Sequence, residues 1–417
     1  MRKTTTLAMI LAGGRVDELN VLTLYRPKSA LPFGSFVRVI DFPLSNLMRS
    51  GIERVAILSQ YRSYSLINHI GTGAAWDMQG RNRSISILPP YTGSDQHDWY
   101  RGSADAVHRN LDFIKYTSPE NVLVLSGDHI YKMDYQKILE YHHEKDADLT
   151  MVFIRVPLEK AHRFGLAALD DEDGERGGRV IGYWEKPEQP ESDWASLTVM
   201  LFKPNVLYKF LQENQIQESF EFGRDIIPAM MAAGYRVYGY KFRGYWGYTR
   251  TIEEYWQSNM DLLGERPLID LEAWGLRTNL DHRGIRDFQP TIVGDYAHIE
   301  NSLIYNGCRI DGTVRNSIIS PGVVIEKNSV VENSILFFNS HIGRNCLLSK
   351  VVADVDCRFR DGARVGAEPG ASASRITVLG QDNTIPAGAF IEQGAVIYPK
   401  LSESSWKSTV AGGEVLR

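Results

Sequence analysis

The stretch IISPGVVIEKNSVVENSILFFNSHIGRNCLL, residues 318–348, carries an apolar residue at every sixth position: Ile318, Val324, Val330, Leu336, Ile342 and Leu348. Short polar or glycine-containing turns, such as HIGRNC, lie between them. This period marks a parallel β-helix, in which each short strand stacks on the coil below and buries its apolar residue inside. Ile385, Ile391 and Ile397 repeat the step, and Val293/Ile299 and Ile304/Ile310 show it with a shift of phase. A β-sandwich of short strands would instead alternate within strands and space its turns more widely. Residues 290–417 are therefore expected to form the β-helix.

Upstream the pattern changes. Residues 7–12, 54–60, 85–88 and 121–125 read as short buried strands, and 42–50, 63–70 and 103–116 have helical spacing. Ser103 is expected to cap the last of these, with Asp105 near the positive end of the helix dipole. Further strands are expected at 149–156 and 180–184, a hairpin turn at DEDG (171–174), and helices at 204–212, 224–233 and 252–263. Strands alternating with helices imply a doubly wound α/β fold with a mainly parallel sheet. The expected division is an α/β domain over residues 1–263, a linker over 264–289 and the β-helix after it.

The 417 residues carry a formal net charge of -5, which gives no reason to expect nucleic acid as a partner. No segment approaches the roughly 18–20 apolar residues that cross a bilayer, so no membrane is expected either. The opening MRKTTTLAMILAGG superficially resembles a secretion signal, but its apolar run covers only residues 7–12 and leads into Gly13-Gly14. A buried first strand is the better reading. Cys308, Cys346 and Cys357 are odd in number and lack metal-ligand spacing, which fits a reducing cytoplasm.

The loop after that strand, LAMILAGGRVDELNVLTLYRPKSA (7–30), is neither a GxGxxG nor a GxxxxGK[ST] fingerprint. A glycine pair alone makes a turn as readily as a phosphate cradle. Longer segments say more: RVIDFPLSNLMRSGI, WYRGSADAV, LVLSGDHIYKMDY, FGLAALD, WEKP, FGRDIIP and YWGYTRTIEEYW follow the loop in this order. Together with the β-helix they closely resemble the ADP-glucose pyrophosphorylase (glucose-1-phosphate adenylyltransferase) family, over nearly the whole chain.

The resemblance implies a nucleotide-diphospho-sugar transferase fold and a left-handed β-helix that serves assembly and regulation. It implies the reaction of ATP with glucose-1-phosphate to ADP-glucose and pyrophosphate, assisted by Mg²⁺, on the route to glycogen or a related α-glucan. Lys28 matches the family's phosphate-contacting lysine and Asp128 its metal-binding aspartate; these two are the expected catalytic pair. Gly13, Gly14, Tyr100, Gly102 and Asp105 lie in nucleotide-binding segments. Glu185, Lys186 and Ser196 match sugar-phosphate positions. Arg26 and Arg38 match an effector site for phosphorylated metabolites, and a solvated surface role is the other reading of these two. A tetramer of like or mixed subunits is expected.

The chain also departs from the family it resembles. Val16 and Glu18 stand where the family loop has a glycine and an arginine, so a β-carbon and a negative charge meet the place of the triphosphate. One charge pair at about 4 Å and an effective dielectric near 20 is worth roughly 4 kcal/mol. Tyr248 stands where the family has the second metal-binding aspartate, and a neutral phenol is a poor Mg²⁺ ligand. Thr198 replaces a glycine, Glu221 an aspartate and Tyr25 a lysine. One reading is an active enzyme in which Arg15 and Arg250 supply the missing charge. The other is a catalytically impaired regulatory subunit that assembles with an active relative. A third class, acyl transfer on the β-helix with His298 or His341 as base, is set against the long N-terminal resemblance.

Overall fold

The computed structural model describes residues 5–14, 16–91, 99–170, 172–216, 218–368 and 375–417. Two compact units emerge. The first comprises the segment ending at Gly14, Phe42–Ser63 and Ile70–Trp246; the second comprises Arg15–Asp41, Tyr64–His69 and Gly247–Arg417. Compactness thus follows other lines than the sequence division, because the loop after Gly14 packs with the C-terminal part of the chain.

In the first unit, nine strands of the described residues form one sheet. In chain order they are β1 (Thr6–Leu11), β2 (Arg54–Leu58), β3 (Ser84–Leu88), β4 (Asn121–Ser126), β5 (Leu149–Arg155), β6 (Gly165–Leu169), β7 (Gly177–Glu185), β8 (Trp194–Phe202) and β9 (Val237–Lys241). Their order across the sheet is β3-β2-β1-β4-β8-β5-β9-β7-β6. The block β3-β2-β1-β4 is parallel, and β8 runs antiparallel to both β4 and β5. Leu7, Ala8, Met9 and Ile10 of β1 are fully buried, as the reading of a buried first strand requires. β6 and β7 pair as the expected hairpin; of its turn, residue 171 lies outside the described residues.

The expected helix at 103–116 is two helices, Ser103–His108 and Leu111–Thr117. Asn110 breaks it: its side-chain amide donates to the Ala106 carbonyl at 2.8 Å and competes with the backbone ladder. Ser103 is the first helical residue and Gly102 the cap, without a side-chain cap bond. Glu221 serves instead, its carboxylate accepting from the Ser103 N–H at 3.1 Å and from the Ser103 hydroxyl.

In the second unit, three parallel sheets run the length of the repeat, each strand pairing with one in the next coil. The inward residues include Ile319, Ile325, Val331, Leu336, Ile342, Leu348, Phe359, Val365, Ile385, Ile391 and Ile397. Val324 and Val330 are only half-buried, so the strict six-residue series joins two phases. The inward step from Val331 to Leu336 is five residues. Asn301, Asn316, Asn328, Asn333, Asn339 and Asn345 turn the coils with positive φ, which asparagine tolerates better than β-branched residues. All three cysteines are buried and free, and each thiol donates to a carbonyl, as Cys346 does to Arg360 at 3.3 Å.

Candidate active site

In the first unit the parallel block directs the carboxyl ends of its strands to one edge, where open α/β sheets take their ligands. Gly13 and Gly14 follow β1 there. A β-carbon on Gly13 would lie 3.0 Å from the Gln60 nitrogen, whereas Gly14 faces open space. Asp128 follows β4 by two residues, is partly exposed, accepts from the Ser126 hydroxyl and stands 3.6 Å from His129 Nε2.

The segment WYRGSAD is built around Asp105, which is 0% exposed. Arg101 Nη2 and Nε donate to its Oδ1 at 2.7 and 3.3 Å and Arg109 Nε to its Oδ2 at 3.0 Å, while the Arg101 backbone N–H donates to Oδ2 at 3.0 Å. Burial works to raise this carboxyl's pKa, and the Arg101 bonds outweigh it and hold the group below its usual range. Asp105 therefore shapes the segment from inside. Gly102 allows a close approach: a β-carbon there would come within 2.3 Å of the Phe220 carbonyl oxygen. Tyr100 donates to the Leu88 carbonyl at 3.1 Å, and burial raises its pKa. The arginines at i-4 and i+4 from Asp105 are a helical ion-pair spacing that the sequence reading passed over.

Glu185 ends β7 with Tyr183 donating to its Oε2 at 3.0 Å and Lys186 Nζ at 3.7 Å from its Oε1. Gly223 and Gly165 make room for this pair; a β-carbon on Gly223 would stand 2.1 Å from Glu185 Oε2, and one on Gly165 2.0 Å from the Tyr183 hydroxyl oxygen. Ser196 and Thr198 lie where β8 slips register against β5, between Ser196 and Met200. Thr198 has φ 53, a left-handed conformation that strains a β-branched residue. Its N–H donates to Ser196 Oγ at 3.3 Å.

In the second unit, Lys28 is 2% exposed and its ammonium donates to the Tyr248 carbonyl at 2.7 Å, 5.2 Å from the centre of the Tyr248 ring. Arg250 donates from Nε to Glu18 Oε1 at 2.9 Å and from Nη1 to the Tyr248 hydroxyl at 3.3 Å. These bonds, that to Tyr248 first, raise the Arg250 pKa. Val16 has extended backbone and needs no glycine there. Arg15 lies outside the described residues.

Arg26 and Arg38 are buried, not surface-solvated. Arg26 donates to Asp354 Oδ1 at 2.8 Å and to Gln381 Oε1 at 3.3 Å. Arg38 donates to the Ala30 carbonyl at 2.8 Å; burial, followed by the charges of Arg26 and Arg283, lowers its pKa to about 9. Lys400 holds its ammonium 5.4 Å from the centre of the Tyr25 ring, placing a cation beside the position where the resembled family has a lysine. His341 pairs with Glu326 at 3.1 Å on the β-helix surface. Among the described residues, no three His, Cys, Asp or Glu side chains gather to hold a metal, and no helix is long and apolar enough to cross a membrane.

Residues 7–265 match the nucleotidyl transferase family, and residues 288–385 match the GlmU-like C-terminal hexapeptide family. The chain is 41% identical to the glucose-1-phosphate adenylyltransferase of Desulfitobacterium hafniense, over 94% of this chain and 98% of that one. It is 37% identical to that of Desulforamulus reducens, over 96% of this chain and 100% of the relative. With the corresponding protein of Acetivibrio thermocellus it shares 36% identity over 99% of this chain and 100% of the relative. Matches of this length span both the sheet that carries Asp128 and the β-helix, and the chain belongs to the glucose-1-phosphate adenylyltransferase family of nucleotidyl transferases.

Proposed function

We propose that this chain converts ATP and glucose-1-phosphate to ADP-glucose and pyrophosphate, supplying activated glucose for glycogen or a related α-glucan. One observation carries this reading: nearly the whole chain aligns with proteins that bear the name of that activity. In this reaction a phosphate oxygen of the sugar attacks the α-phosphorus in line, one P–O bond forms and the bond to pyrophosphate breaks. The protein's task is to hold two polyanions in line and to balance the charge that develops.

Lys28, buried and aligned by the Tyr248 carbonyl, is assigned to phosphate. The Gly14 backbone, open on its side-chain face, gives phosphate a close approach. Tyr100 and Gly102 are assigned to the nucleotide, with Asp105 as the residue that positions them. Glu185, Lys186 and Ser196 are assigned to the sugar phosphate. Mg²⁺ takes one or two carboxylates and completes its shell from phosphate and water oxygens, so a single carboxylate such as Asp128 fits it. Bound there, the ion would neutralise charge on the phosphates.

Three guanidinium groups, those of Arg26, Arg38 and Arg283, share the neighbourhood of Asp354. Arg26 and Arg38 are buried, Arg283 is exposed, and Asp41, Asp356 and Asp382 lie close to the cluster as well; the match of Arg26 and Arg38 to effector positions of the family supports an effector site for phosphorylated metabolites. The first β-helix coil leaves Ile292, Val293 and Ile299 exposed, which supports assembly into a tetramer. Three free, buried thiols accord with a reducing cytoplasm.

The neutral Tyr248 phenol and the Glu18 carboxylate on the loop favour a second reading, a regulatory subunit of low turnover that works with an active relative. Incubating the purified chain with ATP, Mg²⁺ and either glucose-1-phosphate or glucose-6-phosphate separates the readings. ADP-glucose from glucose-1-phosphate alone supports the enzyme. No product from either sugar, restored by an added active relative, supports the subunit.

A further inference from the structure

We propose that Glu18 is an exchangeable lid on a phosphate-binding cation pair, Lys28 and Arg250, and that the ligand's phosphate takes Glu18's place on Arg250. This deepens the reading of the chain as a nucleotidyl transferase and rests on it. The observation behind it is a charge arrangement spanning 232 residues of sequence. Two cations meet the same tyrosine, Lys28 at its carbonyl and Arg250 at its hydroxyl.

Their environments differ. The Lys28 ammonium is buried and donates to the Tyr248 carbonyl, whereas the Arg250 and Glu18 side chains are 38% and 46% exposed. A half-exposed ion pair contributes little to stability, because water screens both partners. It is also easily exchanged. A guanidinium presents a planar fork of donors suited to a carboxylate or a phosphate alike, and phosphate brings more charge. The Tyr248 hydroxyl fixes the fork from its other side, so Arg250 stays aimed when Glu18 leaves. The Arg250 backbone N–H is held as well, donating to Glu254 Oε2 at 3.0 Å, and the capping box of Thr251 and Glu254 anchors the helix that follows.

On this basis Glu18 competes with the triphosphate and sets the affinity of the site. It lies on the loop that continues from Gly13-Gly14, so phosphate binding releases one tie between the loop and the chain near Tyr248.

The test is a titration of inorganic tripolyphosphate, and separately of ATP, into the wild-type chain and the Glu18→Gln, Arg250→Gln and double variants. Thermal unfolding of each variant without ligand serves as the control for folding. Glu18→Gln should bind tripolyphosphate about fivefold more tightly, the scale of one partly exposed charge interaction. Arg250→Gln should bind it more weakly, and in the double variant the gain from Glu18→Gln should vanish. Equal or weaker binding by a folded Glu18→Gln overturns the lid, as does a gain that survives in the double variant. Tripolyphosphate carries no adenine or sugar, so this pattern can hold even where ATP and glucose-1-phosphate give no product. That outcome would sink the assigned reaction and leave the lid standing.

Discussion

Asp105 and Arg109 stand one helical turn apart, with Arg109 Nε donating to Asp105 Oδ2 at 3.0 Å and the carboxylate wholly shielded from water. Arg101 closes the other side of the carboxylate at 2.7 Å and lays its guanidinium over the Phe220 ring at 3.5 Å. Removing the negative charge would leave two arginines facing a neutral buried amide. Asp105→Asn should therefore destabilise the ligand-free protein by about 3 kcal/mol. Urea unfolding checks this: the midpoint should fall with the slope unchanged. An unchanged midpoint alongside weaker ATP binding would instead make Asp105 a direct ligand contact.

Thr198 is a β-branched residue at φ 53 in the register slip of β8. Left-handed backbone of this kind costs a non-glycine residue on the order of 1 kcal/mol or more. Thr198→Gly should raise stability by about 1 kcal/mol, measurable as a higher melting temperature. A lower melting temperature would mean that the threonine side chain contributes more packing than its backbone costs.

Gly223 lies against Glu185, where a β-carbon would stand 2.1 Å from the carboxylate oxygen. Gly223→Ala should displace Glu185 and raise the KM for glucose-1-phosphate on the order of tenfold, with a smaller effect on the KM for ATP. Steady-state kinetics with each substrate varied in turn decide this. Equal effects on both substrates would remove Glu185 from sugar binding.

His142 is buried beside the Thr150 hydroxyl at 2.8 Å, and desolvation, followed by the charges of His143 and Lys203, lowers its pKa to about 3. The unfolded chain takes up this proton near pH 6.5, whereas the folded chain resists it until about pH 3. Its contribution is therefore complete above pH 6.5 and is lost as pH falls through that window, by up to about 1.4 kcal/mol per pH unit. His142→Gln should flatten the fall of stability between pH 6.5 and 4.5. Urea midpoints across that range check it, and an unaltered slope would show that His142 titrates normally.

The sequence makes much of this legible, and the exceptions have physical causes. The six-residue period identifies the β-helix, but adjacent apolar residues such as Val324 and Ile325, or Val330 and Val331, satisfy it equally well. Which one points inward depends on where the five-residue step falls, and only the stacked coils reveal that. Motif spacing leads to Lys28, Asp128 and Glu185 without showing what holds them. The Glu18–Arg250 pair and the Arg26–Asp354 pair join residues hundreds of positions apart, beyond any local pattern. Asn110 splits a helix that apolar periodicity alone would continue, because its amide takes a backbone carbonyl.

The most direct measurement is pyrophosphate release by the purified chain alone, with glucose-1-phosphate, Mg²⁺ and each nucleoside triphosphate in turn. Turnover with ATP of about one per second or faster is expected, within the ordinary range of enzymes. No pyrophosphate from any nucleotide, in a chain that binds ATP, would contradict catalysis by this chain and make it a regulatory partner of an active relative.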